Sequence, residues 1–331
     1  MLITNNARLY DASKVGMYAG ATGRDLHIDA VLSNITIGFR PTGMIWDRVF
    51  PIVTVGKQSD NYYVWNRANW LRRENAERSP KAQANRIDPQ VSSDTYFAKN
   101  FALGIETSWE DLDNADDALE IRNSNSNLII DNLQLNAEVR MATAVCNTVN
   151  VGSSNTLAAN YDNAAATFPI RDMDDGIESI RSVTGLKANK AIFGPLTWRR
   201  FRRHPDVIDF IRGKGDNVGG GGVQLSQVAN AWELDEVLVG NAIQNTAAEG
   251  AAGTFSDVWS NHIAIMHVAA NPGRMVPTFG YSFQWKPAGF PAPFTVRRYD
   301  EENKMLEVQE VHQFQDEKIV STVCGFLIIG G

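Results

Sequence analysis

Apolar residues recur along this chain in two different rhythms, and the changes of rhythm divide it. From about Ile121 to Val149, the residues Leu128, Leu135, Val139, Ala142, Cys146 and Val149 fall at spacings of three, four and seven, which predicts one face of a long helix. A helix of roughly 25 residues would extend roughly 37 Å. A second compact region begins near Ile170, where Asp172 is expected to cap a helix carrying Met173, Ile177, Ile180 and Thr184 on one face and ending at Gly185. The short strand Lys190 to Phe193 then turns through Gly194-Pro195 into a helix to Arg203, stopped by His204-Pro205. Further short helices from Asp206 to Arg212 and Leu225 to Trp232, with strands near Val237 and Ile265, predict a mixed α/β unit. Alternation returns at the end. Phe294 to Val296 and Leu306 to Val308 flank a polar turn at Asp300 to Asn303, as in a hairpin, and Val323 to Ile329 is apolar on both faces, as in a central strand.

The stretch from Gly56 to Asn100 breaks these patterns. Its limbs, Asn61-Tyr62-Tyr63-Val64-Trp65 and Phe97, Phe101, Leu103 and Ile105, have the aromatic and branched residues of β-strands. Between them, residues 66–94 hold Arg67, Arg72, Arg73, Arg78, Lys81 and Arg86 but few aliphatics. Such a segment buries too little of its own surface to offset its ordering entropy, and an isolated two-stranded ribbon is marginal in water. It is therefore expected to lie on another subunit, with Trp65, Trp70, Arg72, Arg73 and Arg78 as contact residues. Residues 1–45 lack sustained periodicity and carry scattered glycines, so they read as an extended arm.

The 331 residues, 44% of them hydrophobic, suffice for a substantial core in two or three units. A formal charge of −7 argues against non-specific binding to nucleic acid or anionic membrane and favours protein partners. The two cysteines, Cys146 and Cys324, are spaced for neither zinc nor a disulfide framework and are expected to be buried thiols in a reducing compartment. Met1 reads as a translational start, and no secretory signal or run of roughly 20 apolar residues is found.

Candidate chemistry is sparse. Glu106, Glu110, Asp111, Asp113, Asp116, Asp117 and Glu120 precede the long helix without an intervening cation. They read either as a solvated face or as the electrostatic complement of the arginine-rich ribbon on another copy. Arg199, Arg200, Arg202 and Arg203 surround Phe201, but their spacing spreads them around a helix, which favours intersubunit ion pairs over a phosphate track. His262 and His267 are separated by an odd number on a strand, and His27, His204 and His312 have no ligand-spaced neighbour, so no metal is expected. Gly219, Gly220, Gly221 and Gly222 lack a following Lys-Ser/Thr and read as a loop, not a phosphate cradle. GxSxG and HExxH are both absent, so no enzyme chemistry and no cofactor are expected.

In this order, the pieces resemble the major capsid proteins of tailed phages with the Hong Kong 97 type fold. The local matches are Ala191-Ile192-Phe193-Gly194-Pro195 leading to Trp198 and His204-Pro205-Asp206-Val207, then Asp235 to Ala242, and Phe279-Gly280-Tyr281-Ser282-Phe283. The resemblance implies an α+β chain. Its parts would be an N-terminal arm over 1–45, an extended loop (E-loop) over 46–105, and a peripheral domain from 106–169 and 281–331 with a spine helix over 121–150. Residues 170–280 would form an axial domain, with Gly219 to Gly222 near a capsomer axis. The implied function is a structural shell of hexamers and pentamers enclosing double-stranded DNA, assembled in the host cytoplasm. Its partners would be other copies, a separate scaffolding protein, a portal and a decoration protein. Some members of the family join an E-loop lysine to a neighbour's asparagine; Lys57, Lys81 and Lys99 are placed for this only by location, and no cross-link is expected. The rival readings are an encapsulin shell enclosing an enzyme and an α/β enzyme.

Overall fold

The computed structural model describes residues 42–331 apart from Asn66, Asn75, Ala82, Pro89, Asp116, Asp117, residues 213–221, Glu249, Arg274, Phe290 and Pro291. Most of the expected arm thus lies outside the described residues. The first elements are α1 (Trp46–Val49), β1 (Ile52–Val55), β2 (Ser59–Trp65), α2 (Arg67–Trp70), β3 (Val91–Phe97) and β4 (Lys99–Ser108). The middle comprises α3 (Trp109–Asp113), α4 (Ala118–Val145), β5 (Ser153–Thr156), α5 (Pro169–Thr184), β6 (Lys190–Phe193), α6 (Pro195–Phe201), α7 (Pro205–Arg212) and α8 (Leu225–Ala231). Strands β7 (Glu236–Val239), β8 (Ile243–Asn245), β9 (Phe255–Asp257), β10 (His262–Met266), β11 (Gly280–Trp285), β12 (Thr295–Glu301), β13 (Leu306–Ile319) and β14 (Gly325–Ile329) complete a mixed α+β chain.

Two five-stranded sheets organise it. In one, the long strand β13 pairs with β4 on one side and with β12 and β11 on the other, and β1 joins β11 in parallel. The other runs β5-β14-β10-β6-β7. The period of two in its central strands divides their side chains between two cores. Ile263, Ile265, Phe326 and Ile328 face the core beneath α5 with Met173 and Ile180, whereas Ala264, Met266 and Leu327 face a core shared with α4. This is why the strand Gly325–Ile329 is apolar on both faces; Val323 and Cys324, expected to belong to it, form part of a single 3-10 turn before it. Helix α5 sits close on the sheet because position 176 is glycine: a Cβ there would lie 2.6 Å from Ile265 and 2.9 Å from Phe326.

Helix α4 is 28 residues, roughly 42 Å long, and runs from a small cluster with Val311 of β13 to the core it shares with β10 and β14. Of the face expected, Ala142 is buried and Leu135, Val139 and Cys146 are half-buried against the core shared with β10 and β14, but the packed face is centred elsewhere. The buried line is Ile129, Leu133, Ala137, Met141 and Val145, at uniform spacing of four, whereas Leu128 is 56% exposed and Val149, beyond the helix end, 81%. The packing partner sets that phase: Ile129 and Leu133 meet Val311 of β13, and Ala137, Met141 and Val145 meet the second core. The expected end at residue 150 is likewise corrected, since the helix stops at Val145 and a turn follows. A second correction concerns Asp172. The position before α5 is Phe168, and Asp172 lies inside the first turn, buried, accepting a hydrogen bond from Tyr161 Oη at 3.2 Å. Gly185 does end the helix, in the left-handed region at φ 74°.

Two arginines clamp α4 along β13. Arg122 binds both carboxylate oxygens of Glu307, at 2.7 Å for the closest pair, and Arg140 does the same to Glu317 at 2.9 Å while lying 3.6 Å above the centre of the Phe101 ring. Hydrogen bonding from Arg122 holds the Glu307 carboxyl below its ordinary value of 4.5. A depressed carboxylate stabilises the fold above its unfolded value, and that contribution is lost as pH falls through the folded one. Accordingly, thermal melts of Arg122→Met should fall furthest below wild type near pH 6, with the gap narrowing below about pH 4.5. A gap that stays constant from pH 7 to 3 would show that the pair contributes nothing.

Both cysteines are free. Cys324 is buried and Cys146 half-buried, and desolvation pushes the Cys146 thiol up to about 12, so neither is placed as a reactive thiolate. Among the described residues no helix is long and apolar enough to cross a membrane.

Candidate assembly surface

The ribbon has an anchored root and an open tip. Its root is the antiparallel pair β2 and β3, in which Tyr62 opposes Asp94 and donates to it at 2.9 Å. Lys318 of β13 reaches the same carboxylate at 3.2 Å, and the Phe97 amide donates to Asp316 at 3.0 Å. Two aromatic residues of the root, Tyr62 and Tyr96, are used within the chain, whereas Tyr63 and Phe97 are exposed. Tyr96 stacks on Phe283 of β11 at 4.6 Å between ring centres, and Tyr62 tilts against the same ring at 5.8 Å. The absence of core, read from composition, therefore applies beyond the root and not to the whole ribbon.

Beyond the root the contrast is sharp. Every described residue from Leu71 to Gln90 is exposed, including Arg73, Arg78 and the apolar Leu71 and Ile87. Arg72 pairs with Glu74 at 2.9 Å within the tip. Backbone at Trp65 and Trp70 belongs to β2 and α2; their side chains lie outside the description. Between the ribbon and the body runs an apolar cleft of about 960 Å³, lined by Tyr62, Tyr63 and Leu71 on one side and by Met275, Val276 and Tyr281 on the other. Most of its lining is apolar, with Arg67, Thr184 and Ser321 among the polar exceptions.

The remaining expected contact residues lie on other parts of the molecule. On α3, Glu110 and Asp113 are exposed and Asp111 is half-buried, its amide donating to the Ser108 hydroxyl that caps the helix; Asp116 and Asp117 lie outside the described residues. Around α6, Arg199 and Arg203 point to solvent. Arg200 is used inside the chain, donating to Asp162 at 2.7 Å and to the Gly331 carbonyl at 3.0 Å. Arg202 is half-buried against Gly222, where an added Cβ would come within 2.8 Å of its side chain. Gly219, Gly220 and Gly221 lie outside the described residues.

Among the described residues, no group of three His, Cys, Asp or Glu side chains is placed to hold a metal. His204 is buried beside Thr167, and His267 contacts the Lys187 carbonyl at 2.7 Å. Lys57, Lys81 and Lys99 are all exposed, Lys57 pairing with Asp60 at 3.1 Å. Sequence reasoning missed one buried group, Glu138. It lies beside Ala137 and three residues before Met141, a signal visible only once the helix is phased through residues 129, 133, 137, 141 and 145.

No protein-family model matches the chain. Two curated relatives do: the major capsid protein of Burkholderia phage BcepMu, 23% identical over 269 residues, and that of Pseudomonas phage JBD67, 26% identical over 267. Each alignment covers 78% of this chain, and 84% and 83% of the respective relatives. Among solved structures, a phage-related protein from Bordetella bronchiseptica RB50 superposes with a TM-score of 0.66 at 21% identity, over 91% of this chain and 96% of that one. Chains of phage capsids share the fold as well, at TM-scores of 0.55 and 0.58. Over most of its length the chain is therefore similar to phage major capsid proteins, and it shares the fold of assembled phage capsids.

Proposed function

We propose that this chain builds the icosahedral head of a phage, as hexamers and pentamers of a Hong Kong 97 type subunit that enclose double-stranded DNA. The observation that carries this reading is the ribbon: its root is fastened to its own sheet, while the described residues from Leu71 to Gln90 are all exposed. A polar, arginine-rich extension held out from a folded body is suited to binding a neighbour. Its role is structural, and the chain is a component of the virion.

In this proposal residues 1–45 are the arm, 46–105 the E-loop, 106–169 and 281–331 the peripheral domain, and 170–280 the axial domain. Trp65, Trp70, Arg72, Arg73 and Arg78 reach the neighbouring copy, whose Glu110, Asp111, Asp113, Asp116 and Asp117 supply charge of opposite sign. Complementary charge of this kind sets register and partner choice more than raw affinity. The exposed Arg199 and Arg203 serve a second contact, and Gly219 to Gly222 lie near the capsomer axis. A separate scaffolding protein, a portal and a decoration protein complete the set of partners, and assembly takes place in the host cytoplasm.

The test is negative-stain imaging with sedimentation velocity of the purified chain, alone and with a co-encoded scaffold. Rings or closed shells are expected, and boiled, reduced particles should run as single chains because no lysine cross-link forms. A compact monomer or dimer under both conditions would overturn the proposal.

A further inference from the structure

Glu138 is fully buried in the middle of α4, and its carboxylate collects donors from two other segments. The amides of Ile45 and Trp46 donate to Oε2 at 2.8 and 2.7 Å, and the indole of Trp259 donates to Oε1 at 2.5 Å. Among the described residues no cation pairs with it, although burying a carboxylate without one is costly and pushes its protonation upward, with Asp47 adding to the effect. Apolar packing at this position would avoid that cost. Its neighbours are built around the junction. Trp259 is 1% exposed, and a Cβ at Gly240 would fall 2.0 Å from its ring. Gly43, at φ 75°, accepts from the Asn241 amide at 3.3 Å, while Arg48 pairs with Glu236 at 2.5 Å.

We infer that Glu138 is a positioning residue that locks the segment from Met44 to Phe50 onto the long helix, and so sets where the N-terminal residues join the body. The amides of Ile45 and Trp46 lie at the start of a helix, where backbone N–H groups have no acceptor within the helix. A carboxylate serves them and the indole together because both its oxygens accept. An amide cannot: whichever way Glu138→Gln is turned, its NH₂ faces a donor. The anchor is a property of the single subunit and does not depend on shell assembly, so its test can fail while the head-forming role stands.

Hydrogen–deuterium exchange on soluble subunits tests it. In the native protein, the Ile45 and Trp46 amides should be as protected as those of β10; exchange at the rate of exposed loops would overturn the inference without any variant. In Glu138→Gln, exchange over residues 44–50 should accelerate about tenfold or more, as expected for an unsatisfied buried donor, with β10 and β14 unchanged. Trp259→Phe removes only the donor to Oε1 and should accelerate the same segment much less. Uniform acceleration across the chain, or an equal effect of Trp259→Phe, would assign the segment's order to general packing and overturn the inference.

Discussion

Replacing residues 66–90 with a two-residue Asn-Gly turn is expected to abolish closed shells while leaving the subunit's melting transition almost where it was. The two outcomes separate because the described residues from Leu71 to Gln90 are exposed and contribute little to the subunit's own core. Surface changes away from buried features typically alter stability by about 0.5 kcal/mol or less. The root survives, since Tyr62, Asp94 and Tyr96 lie outside the replaced segment and an Asn-Gly pair suits a tight hairpin. A neighbouring copy, by contrast, would lose the whole contact; obligate contacts of this size class bury about 2,000 Å² or more. Imaging and a urea melt on the same preparation check both halves. Normal particles would refute the interface, and a collapsed melting transition would show that the tip supports its own fold.

Phe283→Ala is expected to be the most damaging single substitution at the ribbon root. The ring is 7% exposed and lies against Tyr96, Tyr62 and Tyr281 at 4.6, 5.8 and 6.0 Å. Truncating a buried phenylalanine costs about 3–5 kcal/mol, and the low end applies here because the open cleft beside it lets neighbours relax. The loss should fall on the joint between ribbon and sheet. Protease cleavage at Lys57 and Lys99 should quicken, while the core under α5, which contains neither Phe283 nor its partners, keeps its protection. A urea midpoint within error of wild type would show that the aromatic stack does not hold the ribbon.

In the proposed assembly the two changes probe opposite ends of one device: the tip would determine whether copies join, and the root whether the tip is presented at a defined angle. A ribbon free at both ends would lose too much conformational entropy on each association, and preorganising its root reduces that loss.

Much of this was legible in the chain. Elements governed by local chemistry fell where expected: β6 at Lys190–Phe193, the proline-initiated α6, the β12–β13 hairpin and the glycine end of α5. The long helix was legible as a helix and in part of its orientation. Counting from Leu128 and Leu135 found Leu135, Val139, Ala142 and Cys146, which do pack, but took in the exposed Leu128 and Val149 and missed the line from Ile129 to Val145, because only β13 and the second core select among the apolar residues of α4. For the same reason Glu138 went unnoticed: its meaning depends on Ile45 and Trp259, which lie 93 and 121 residues away in the chain.

The ribbon shows the same division. Its composition by itself determined that residues beyond the root could not form a core, since burial needs apolar area that those positions lack. Only the tertiary structure decided that Tyr62 and Tyr96 of the limbs are spent at home, on Phe283, while Tyr63 and Phe97 stay exposed, and that Arg200 is taken by Asp162 while Arg199 and Arg203 stay exposed. Local sequence sets helix starts, turns and strand rhythm through backbone sterics and nearest-neighbour hydrogen bonds. The use of a ring or a charge is set by whichever distant surface arrives against it, and that depends on the packing of the whole chain.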